Sequence, residues 1–284
     1  MQILKSIEDV RNWRQAHDEV AFVPTMGNLH AGHISLVTRA KLCSPHVIVS
    51  IFVNPLQFGE GEDLDSYPRT LEADIEKLTN AGVSALFLPT AEMLYEADEP
   101  FMVIPPRTLI ADLCGKDRPG HFEGVATVVA KFFNIVEPTY ACFGKKDYQQ
   151  LRVIEGMVKA LNFNIEIIPV AIEREAEGLA LSSRNGYLLA PEKTQALQIS
   201  TAIQGMKQAI EAAAKQGAIH EGYYAELEQQ YQSVLSNAGF EVDYLTIREQ
   251  TLLQPATLAD KELVILVAAK IGKPRLLDNI EVVI

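Results

Sequence analysis

Two histidines three residues apart, His30 and His33, close a run that follows an apolar segment and leads into a helical pattern: Pro24-Thr25-Met26-Gly27-Asn28-Leu29-His30-Ala31-Gly32-His33. The first N–H groups of a helix have no partner within it, and the macrodipole there favours an anion. Gly27 and Gly32 let backbone approach a ligand closely, and both imidazoles can donate to phosphate oxygens. The chemistry on offer is the grip of a nucleotide phosphate. Three commoner motifs do not fit. No Gly-Lys-Ser/Thr ends the run, as a P-loop requires; GxGxxG is absent; and the histidines lack the spacing and the glutamate of the HExxH zinc helix. The plain alternative is two polar residues capping a helix.

The elements around this loop alternate. Val20–Pro24, Val47–Val53, Ala85–Leu88, Tyr140–Phe143 and Ile165–Val170 read as strands, being short, apolar and mostly bounded by breakers. His33–Cys43, Thr70–Ala81, Gly124–Val136 and Asp147–Leu161 have helical periodicity between them. Such alternation predicts an α/β fold with a parallel sheet and right-handed crossovers, whose ligands sit beyond the carboxyl ends of the strands. After Gly178 the order changes. Helical stretches over Pro191–Gln216 and Glu221–Ala238 precede strand-like Val242–Arg248, Leu263–Lys270 and Pro274–Asp278, which predicts a smaller C-terminal α+β domain. The expected division is residues 1–176 and 177–284.

Composition narrows the function. The 284 residues are 48% hydrophobic and 22% charged, ordinary for a globular protein. The net charge of −12 (25 Lys and Arg against 37 Asp and Glu) disfavours a general nucleic-acid binder, since phosphate backbones attract basic surfaces. Cys43, Cys114 and Cys142 are far apart and form no CxxC pair, so neither a disulfide framework nor a cysteine zinc site is expected. No stretch reaches the ~18 apolar residues that span a bilayer. The N-terminus reads as an amphipathic start, not a signal peptide. A cytoplasmic protein with no membrane partner is expected.

Further segments join the HxGH loop. Ile51-Phe52-Val53-Asn54-Pro55-Leu56-Gln57-Phe58 follows the second of these strands, with Tyr67-Pro68-Arg69-Thr70 behind it. Then come Arg118-Pro119-Gly120-His121-Phe122-Glu123-Gly124-Val125, Phe143-Gly144-Lys145-Lys146-Asp147-Tyr148-Gln149-Gln150, and Gly178-Leu179-Ala180-Leu181-Ser182-Ser183-Arg184-Asn185. HxGH alone resembles the signature of nucleotidylyltransferases and class I aminoacyl-tRNA synthetases. Taken together, the segments resemble the pantothenate synthetase family over nearly all of the first domain and the start of the second.

The resemblance implies a Rossmann-like first domain, a C-terminal lid, a homodimer formed through the first domain, and small-molecule substrates: ATP, pantoate and β-alanine. Pantoate would attack ATP to give pantoyl adenylate and pyrophosphate, and the β-alanine amine would then displace AMP. The first step gathers negative charge at phosphorus and needs preorganised cationic and hydrogen-bonding groups. His30, His33, Lys146, Ser182, Ser183 and Arg184 can supply them, Lys146 as a compact charge and Arg184 as a fork for two oxygens. His33 is implied as a donor toward the phosphates. The ATP-binding set comprises Met26, Gly27, Asn28, Leu29, His30, Ala31, Gly32, His33, Gly144, Lys145, Lys146, Asp147, Glu173, Leu181, Ser182, Ser183 and Arg184, with no separate chemical role for Lys145. Mg²⁺ is expected to bridge phosphate oxygens with Asp147 as its acidic neighbour, and no residue is assigned as a direct metal ligand.

Pantoate calls for neutral amides and apolar walls: Gln57 and Gln150 fit the first, Met26 and Phe58 the second, with Asn54 and Tyr67 at the β-alanine end. Arg118 and His121 read equally as a second phosphate-facing pair or as a structural loop. Three positions depart from the family pattern: Lys145 in place of a usual Glu, Glu173 in place of an apolar residue beside adenine, and Leu181 in place of Met. The rival functions are a nucleotidylyltransferase moving AMP onto a phosphate, a class I synthetase, and a noncatalytic nucleotide-binding module. The first would want a basic acceptor pocket where two glutamines stand, and length and acidic charge disfavour the second.

Overall fold

The computed structural model describes residues 1–59, 61–95 and 100–284. The chain divides into two compact units, Met1–Lys145 with Gln149–Ala171, and Lys146–Tyr148 with Ile172–Ile284. The first runs β1 (Gln2–Leu4), α1 (Ile7–Gln15), β2 (Ala21–Thr25), α2 (Ala31–Cys43), β3 (Val47–Ile51), α3 (Leu71–Asn80) and β4 (Ala85–Phe87). Three short helices follow, α4 (Ala91–Leu94), α5 (Arg107–Ile110) and α6 (Cys114–Asp117), then α7 (His121–Val136), β5 (Tyr140–Gly144), α8 (Tyr148–Ala160) and β6 (Glu166–Val170).

The strands pair in parallel in the order β1-β4-β3-β2-β5-β6. Strands β2, β3 and β4 step outward one way, and β5 and β6 take the other side of β2. The order therefore reverses between β2 and β5, the switch point at which open α/β sheets leave a crevice for ligand. The Pro24–His33 run leaves β2 beside that crevice, and β5 ends there at Gly144. Val20 to Val23 and Val47 to Val49 are fully buried, as strands covered on both faces must be. Helix α7 supplies one cover: Phe132 meets Phe22 edge-on at 5.7 Å and Phe87 at 6.2 Å.

The predicted α/β architecture stands, with differences at the margins. Strand β1 is three residues long on the sheet edge, too short to announce itself by periodicity. Helix α7 starts at His121, three residues before the predicted start, because Gly120 takes the left-handed conformation (φ 82°) and launches it. Strand β3 ends at Ile51 where Val53 was expected, although Phe52 N–H still donates to Thr25 O at 3.0 Å.

The second unit carries α9 (Ala190–Gln216), α10 (Tyr223–Asn237), and the antiparallel strands β7 (Glu241–Glu249), β8 (Glu262–Lys270) and β9 (Arg275–Val283) in the order β7-β8-β9. Helices before strands is the α+β order predicted. Its core joins Ile199, Ile203 and Met206 of α9 to Leu235, Leu245 and Val267. Strand β9 runs five residues beyond the predicted Asp278 end, through an Asp-Asn pair that reads as a strand breaker.

Candidate active site

The HxGH loop is held by its own histidines. Nδ1 of His30, the N-cap of α2, accepts Gly32 N–H at 3.1 Å, and Nδ1 of His33 accepts His30 N–H at 3.2 Å. Each bond needs the lone pair on Nδ1, so the proton of each neutral ring lies on Nε2. The rings sit 4.1 Å apart. This changes the expected mode of anion binding. Two helix-terminal N–H groups already have partners, and the donating atom of each ring is Nε2, its N–H polarised by the bond that Nδ1 accepts.

A second clamp comes from α3, and the sequence reading missed it. Asp74 is fully buried and accepts Asn28 N–H and Leu29 N–H, both at 2.8 Å, and the Thr70 hydroxyl at 3.1 Å. One turn on, Lys77 Nζ donates to Leu29 O at 2.6 Å. The i, i+3 spacing puts both charged groups on the helix face toward the loop. The loop needs such a grip because Gly27 (φ 85°) and Asn28 (φ 50°) are both left-handed. A Cβ on Gly27 would also sit 3.1 Å from Ile51 Cγ2 and 3.3 Å from Asp74 Oδ2. Asp74→Asn would turn an amide NH2 toward a backbone N–H. We expect a loss of about 1.5–3 kcal/mol in urea unfolding and a fall in kcat of about tenfold or more. Wild-type values for both would remove Asp74 from this role.

Downstream of β3, the 3-10 turn Pro55–Gln57 presents the amides. Asn54 is buried; its Oδ1 accepts Leu56 N–H and the Tyr95 hydroxyl (2.7 Å), and its Nδ2 donates to Gln57 Oε1 and Gly124 O, both at 3.1 Å. Its amide thus serves the scaffold. Burial pushes the Tyr95 phenol well up, which keeps it a donor to Asn54. The Gln57 amide is oriented by Asn54 and by Met26 Sδ, 3.1 Å from Nε2, a weak acceptor that leaves a second N–H for a ligand. Tyr67 is buried against Phe58, ring centroids 5.9 Å apart.

Of the two readings for Arg118 and His121, the structure supports the structural one. Arg118 donates to both Glu62 carboxylate oxygens (2.7 and 2.6 Å), to Gln57 O (3.3 Å) and to His121 Nε2 (3.1 Å). That makes Nε2 of His121 the acceptor, so Nδ1–H donates to Gln57 O at 2.8 Å. Burial pushes the Glu62 carboxyl up, but the Arg118 hydrogen bond and charge more than offset it and hold it below its ordinary value. The backbone of Gln57 is therefore pinned on one side while its side chain is oriented on the other. The tandem glutamines also separate. Gln149 is buried, donating to Leu109 O (2.8 Å) and Asp112 O (3.0 Å) and accepting Cys114 N–H (3.0 Å). Gln150 is half-buried, and its side chain makes no hydrogen bond to another described residue.

In the second unit, the Lys146 ammonium stands 3.8 Å from Asp147 Oδ1. Ser182 caps the 3-10 turn Ser183–Tyr187 by accepting Arg184 N–H at 3.2 Å, and Asn185 Nδ2 donates to Ala180 O at 3.0 Å. Glu173 carries an exposed side chain, and its carbonyl takes Leu181 N–H at 2.9 Å, so this departure faces solvent. Glu62, Asp74, Lys77 and Tyr95 complete the scaffold. Only Thr70, four residues before Asp74 and inside a quoted segment, pointed to any of them.

Comparison with known proteins agrees with the segments quoted above. The family model described as pantoate-beta-alanine ligase matches residues 2–281. A pantothenate synthetase of Laribacter hongkongensis is 52% identical over 283 residues, covering 99% of each chain. One from Neisseria meningitidis serogroup C is 50% identical over 282 residues, again 99% of each. The crystal structure of pantothenate synthetase from Thermus thermophilus has a TM-score of 0.91 at 41% identity over all of both chains. A pantoate-beta-alanine ligase from Francisella tularensis, complexed with beta-gamma ATP and beta-alanine, has a TM-score of 0.79 at 34% identity over 99% of this chain and 97% of its own. With half its residues shared along the full length of such relatives, and the family match spanning the motifs that hold the loop, the amides and the cationic segments, this chain belongs to the pantoate-beta-alanine ligase family.

Proposed function

We propose that the chain condenses pantoate with β-alanine at the expense of ATP, through a pantoyl adenylate, releasing AMP and pyrophosphate. The observation that carries this reading is the histidine-capped loop after β2, with two Nε2–H donors at the sheet's switch point. Family membership supports it, as does the Francisella relative's complex with an ATP compound and beta-alanine.

In the first step a pantoate carboxylate oxygen attacks the α-phosphorus and the bond to pyrophosphate breaks. The nucleophile needs no base. His30 and His33 stabilise charge on phosphate oxygens as donors, and Lys146, Ser182, Ser183 and Arg184 add charge and hydroxyl donors in the same role. Gln57 and Gln150 hold pantoate through neutral amides, which leaves the carboxylate its nucleophilicity. In the second step the neutral β-alanine amine attacks the acyl carbon, the C–N bond forms, AMP departs, and the amine proton passes to solvent or phosphate. Tyr67 lines the β-alanine end, with Asn54 holding Gln57 in place there.

Mg²⁺ fits a site built chiefly of phosphate oxygens and water. Asp147, with a half-exposed carboxylate only loosely paired to Lys146, keeps lone pairs for a water shell. Bound there, the ion would neutralise phosphate charge. The functional division at 176/177, a lid role for the second domain and a cytoplasmic setting belong to the same reading. So does a homodimer through the first domain, supported by exposed Phe101, Met102 and Ile104, at 99%, 40% and 73% exposure. Sedimentation should give twice the chain mass, and Phe101→Glu should shift it toward the monomer.

The decisive assay supplies ATP, Mg²⁺, pantoate and β-alanine and follows pyrophosphate and AMP. Pyrophosphate release should depend on pantoate, and oxygen-18 from the pantoate carboxylate should appear in AMP. Release without pantoate dependence, or AMP without label, overturns the assignment.

A further inference from the structure

We propose that Asp278 and Asn279 of β9 are positioning residues, which set the spacing of the two phosphate-facing segments of the second unit, Lys146-Asp147 and Ser182-Ser183-Arg184. The inference rests on the role given to those segments above. It begins from a local conflict. Asp and Asn are poor strand formers, yet they lie adjacent inside a nine-residue strand and both are buried, at 4% exposure. Neighbours on a strand face opposite ways, so one segment is held from each face.

Asp278 shares the core face with Leu276, Ile280 and Val282. A carboxylate among apolar side chains needs a charged partner, and Arg174 supplies it with two bonds of 2.6 and 2.8 Å. Arg174 also donates to Gly178 O at 3.0 Å, inside a hairpin closed by Glu175 N–H to Leu179 O (2.8 Å) and Leu181 N–H to Glu173 O (2.9 Å). The next residues are Ser182, Ser183 and Arg184. On the other face, Asn279 Nδ2 donates to Lys146 O at 2.9 Å, and Glu281 Oε1 accepts the Tyr148 hydroxyl at 3.1 Å. The two faces are joined where Asp278 Oδ1 accepts Asn279 N–H at 2.8 Å. One dipeptide thus anchors the stem of the serine-arginine loop and the backbone of the lysine. An apolar pair would make a better strand, and buried ion pairs are seldom the most stable choice. What the polar pair supplies is register.

The test is a pair of double-mutant cycles on the dissociation constant of α,β-methylene-ATP, measured by calorimetry with Mg²⁺ on the full chain. Asn279→Ala in the wild-type background should weaken binding about tenfold, and in the Lys146→Ala background less than about twofold. Asp278→Asn should behave the same way against Arg184→Ala. Steady-state KM for pantoate and β-alanine should stay near wild type while KM for ATP rises. Purely structural damage would give additive losses in both cycles and move all three KM values together, and that result overturns the proposal. If Asp278→Asn does not fold, the Asn279 cycle decides alone. Wild-type protein that binds the analogue but releases no pyrophosphate with pantoate fails the functional reading and leaves the cycles interpretable.

Discussion

Replacing His33 by alanine is expected to lower kcat by roughly 10²–10³, the usual cost of removing one preorganised donor from a transition state that gathers charge. The ring has two uses, and they can be separated. Its Nδ1 caps α2 by accepting His30 N–H, a contact whose loss costs about 1 kcal/mol of stability. Its Nε2–H is the donor assigned to phosphate. Glutamine places an amide N–H near the position of Nε2, so His33→Gln should recover part of the rate, whereas asparagine keeps only an acceptor near Nδ1. Stopped-flow measurement of pyrophosphate formation with saturating pantoate reads the adenylation step alone. Lys146→Ala should lose a comparable factor through charge, with no rescue by glutamine. Adenylation by His33→Ala within about threefold of wild type would end the donor assignment.

The sequence disclosed the chemistry better than its supports. The HxGH loop is legible because strand, glycines, histidines and helix are contiguous, so local rules suffice. What holds it is not contiguous. Asp74 lies on a helix with an ordinary amphipathic pattern, and nothing local marks its carboxylate as the acceptor for Asn28 and Leu29, more than forty residues earlier. The histidine cap is legible only as an alternative: imidazole is an uncommon capping group, and nothing local shows that both rings accept backbone N–H groups through Nδ1. Gln149 and Gln150 look alike in sequence; packing alone assigns one to Leu109 and Asp112 and leaves the other available. The fold failed to read where tertiary context overrides propensity: the three-residue edge strand β1, the one-turn helices α4 to α6, and β9, cut short at an Asp-Asn pair that its own bonds keep in the strand. Such local conflicts collect where a protein positions chemistry.

Gly124→Ala should be among the most damaging single methyls in the first unit. Gly124 lies in the first turn of α7, and its carbonyl receives Asn54 Nδ2. An added Cβ would stand 2.5 Å from the Leu56 carbonyl carbon and 2.7 Å from Gln57 N, with the Leu56 oxygen nearer still. Every one of these atoms is backbone, so no rotamer change relieves the clash. Either α7 or the 3-10 turn must move. The helix is buried along most of its length against the sheet, so the turn yields, taking Asn54 and Gln57 with it. Overpacking of this kind costs about 1–3 kcal/mol or more in stability. Its catalytic cost should be of similar size, because a shift of ~1 Å in a substrate-holding group lowers rates by about 10²-fold. The loss should fall on kcat/KM for pantoate, with the dissociation constant for α,β-methylene-ATP nearly unchanged, since the histidine loop is gripped separately by α3. Equal losses for nucleotide and pantoate would mean that α7 had moved instead, and that the turn is not an independent carrier of Gln57.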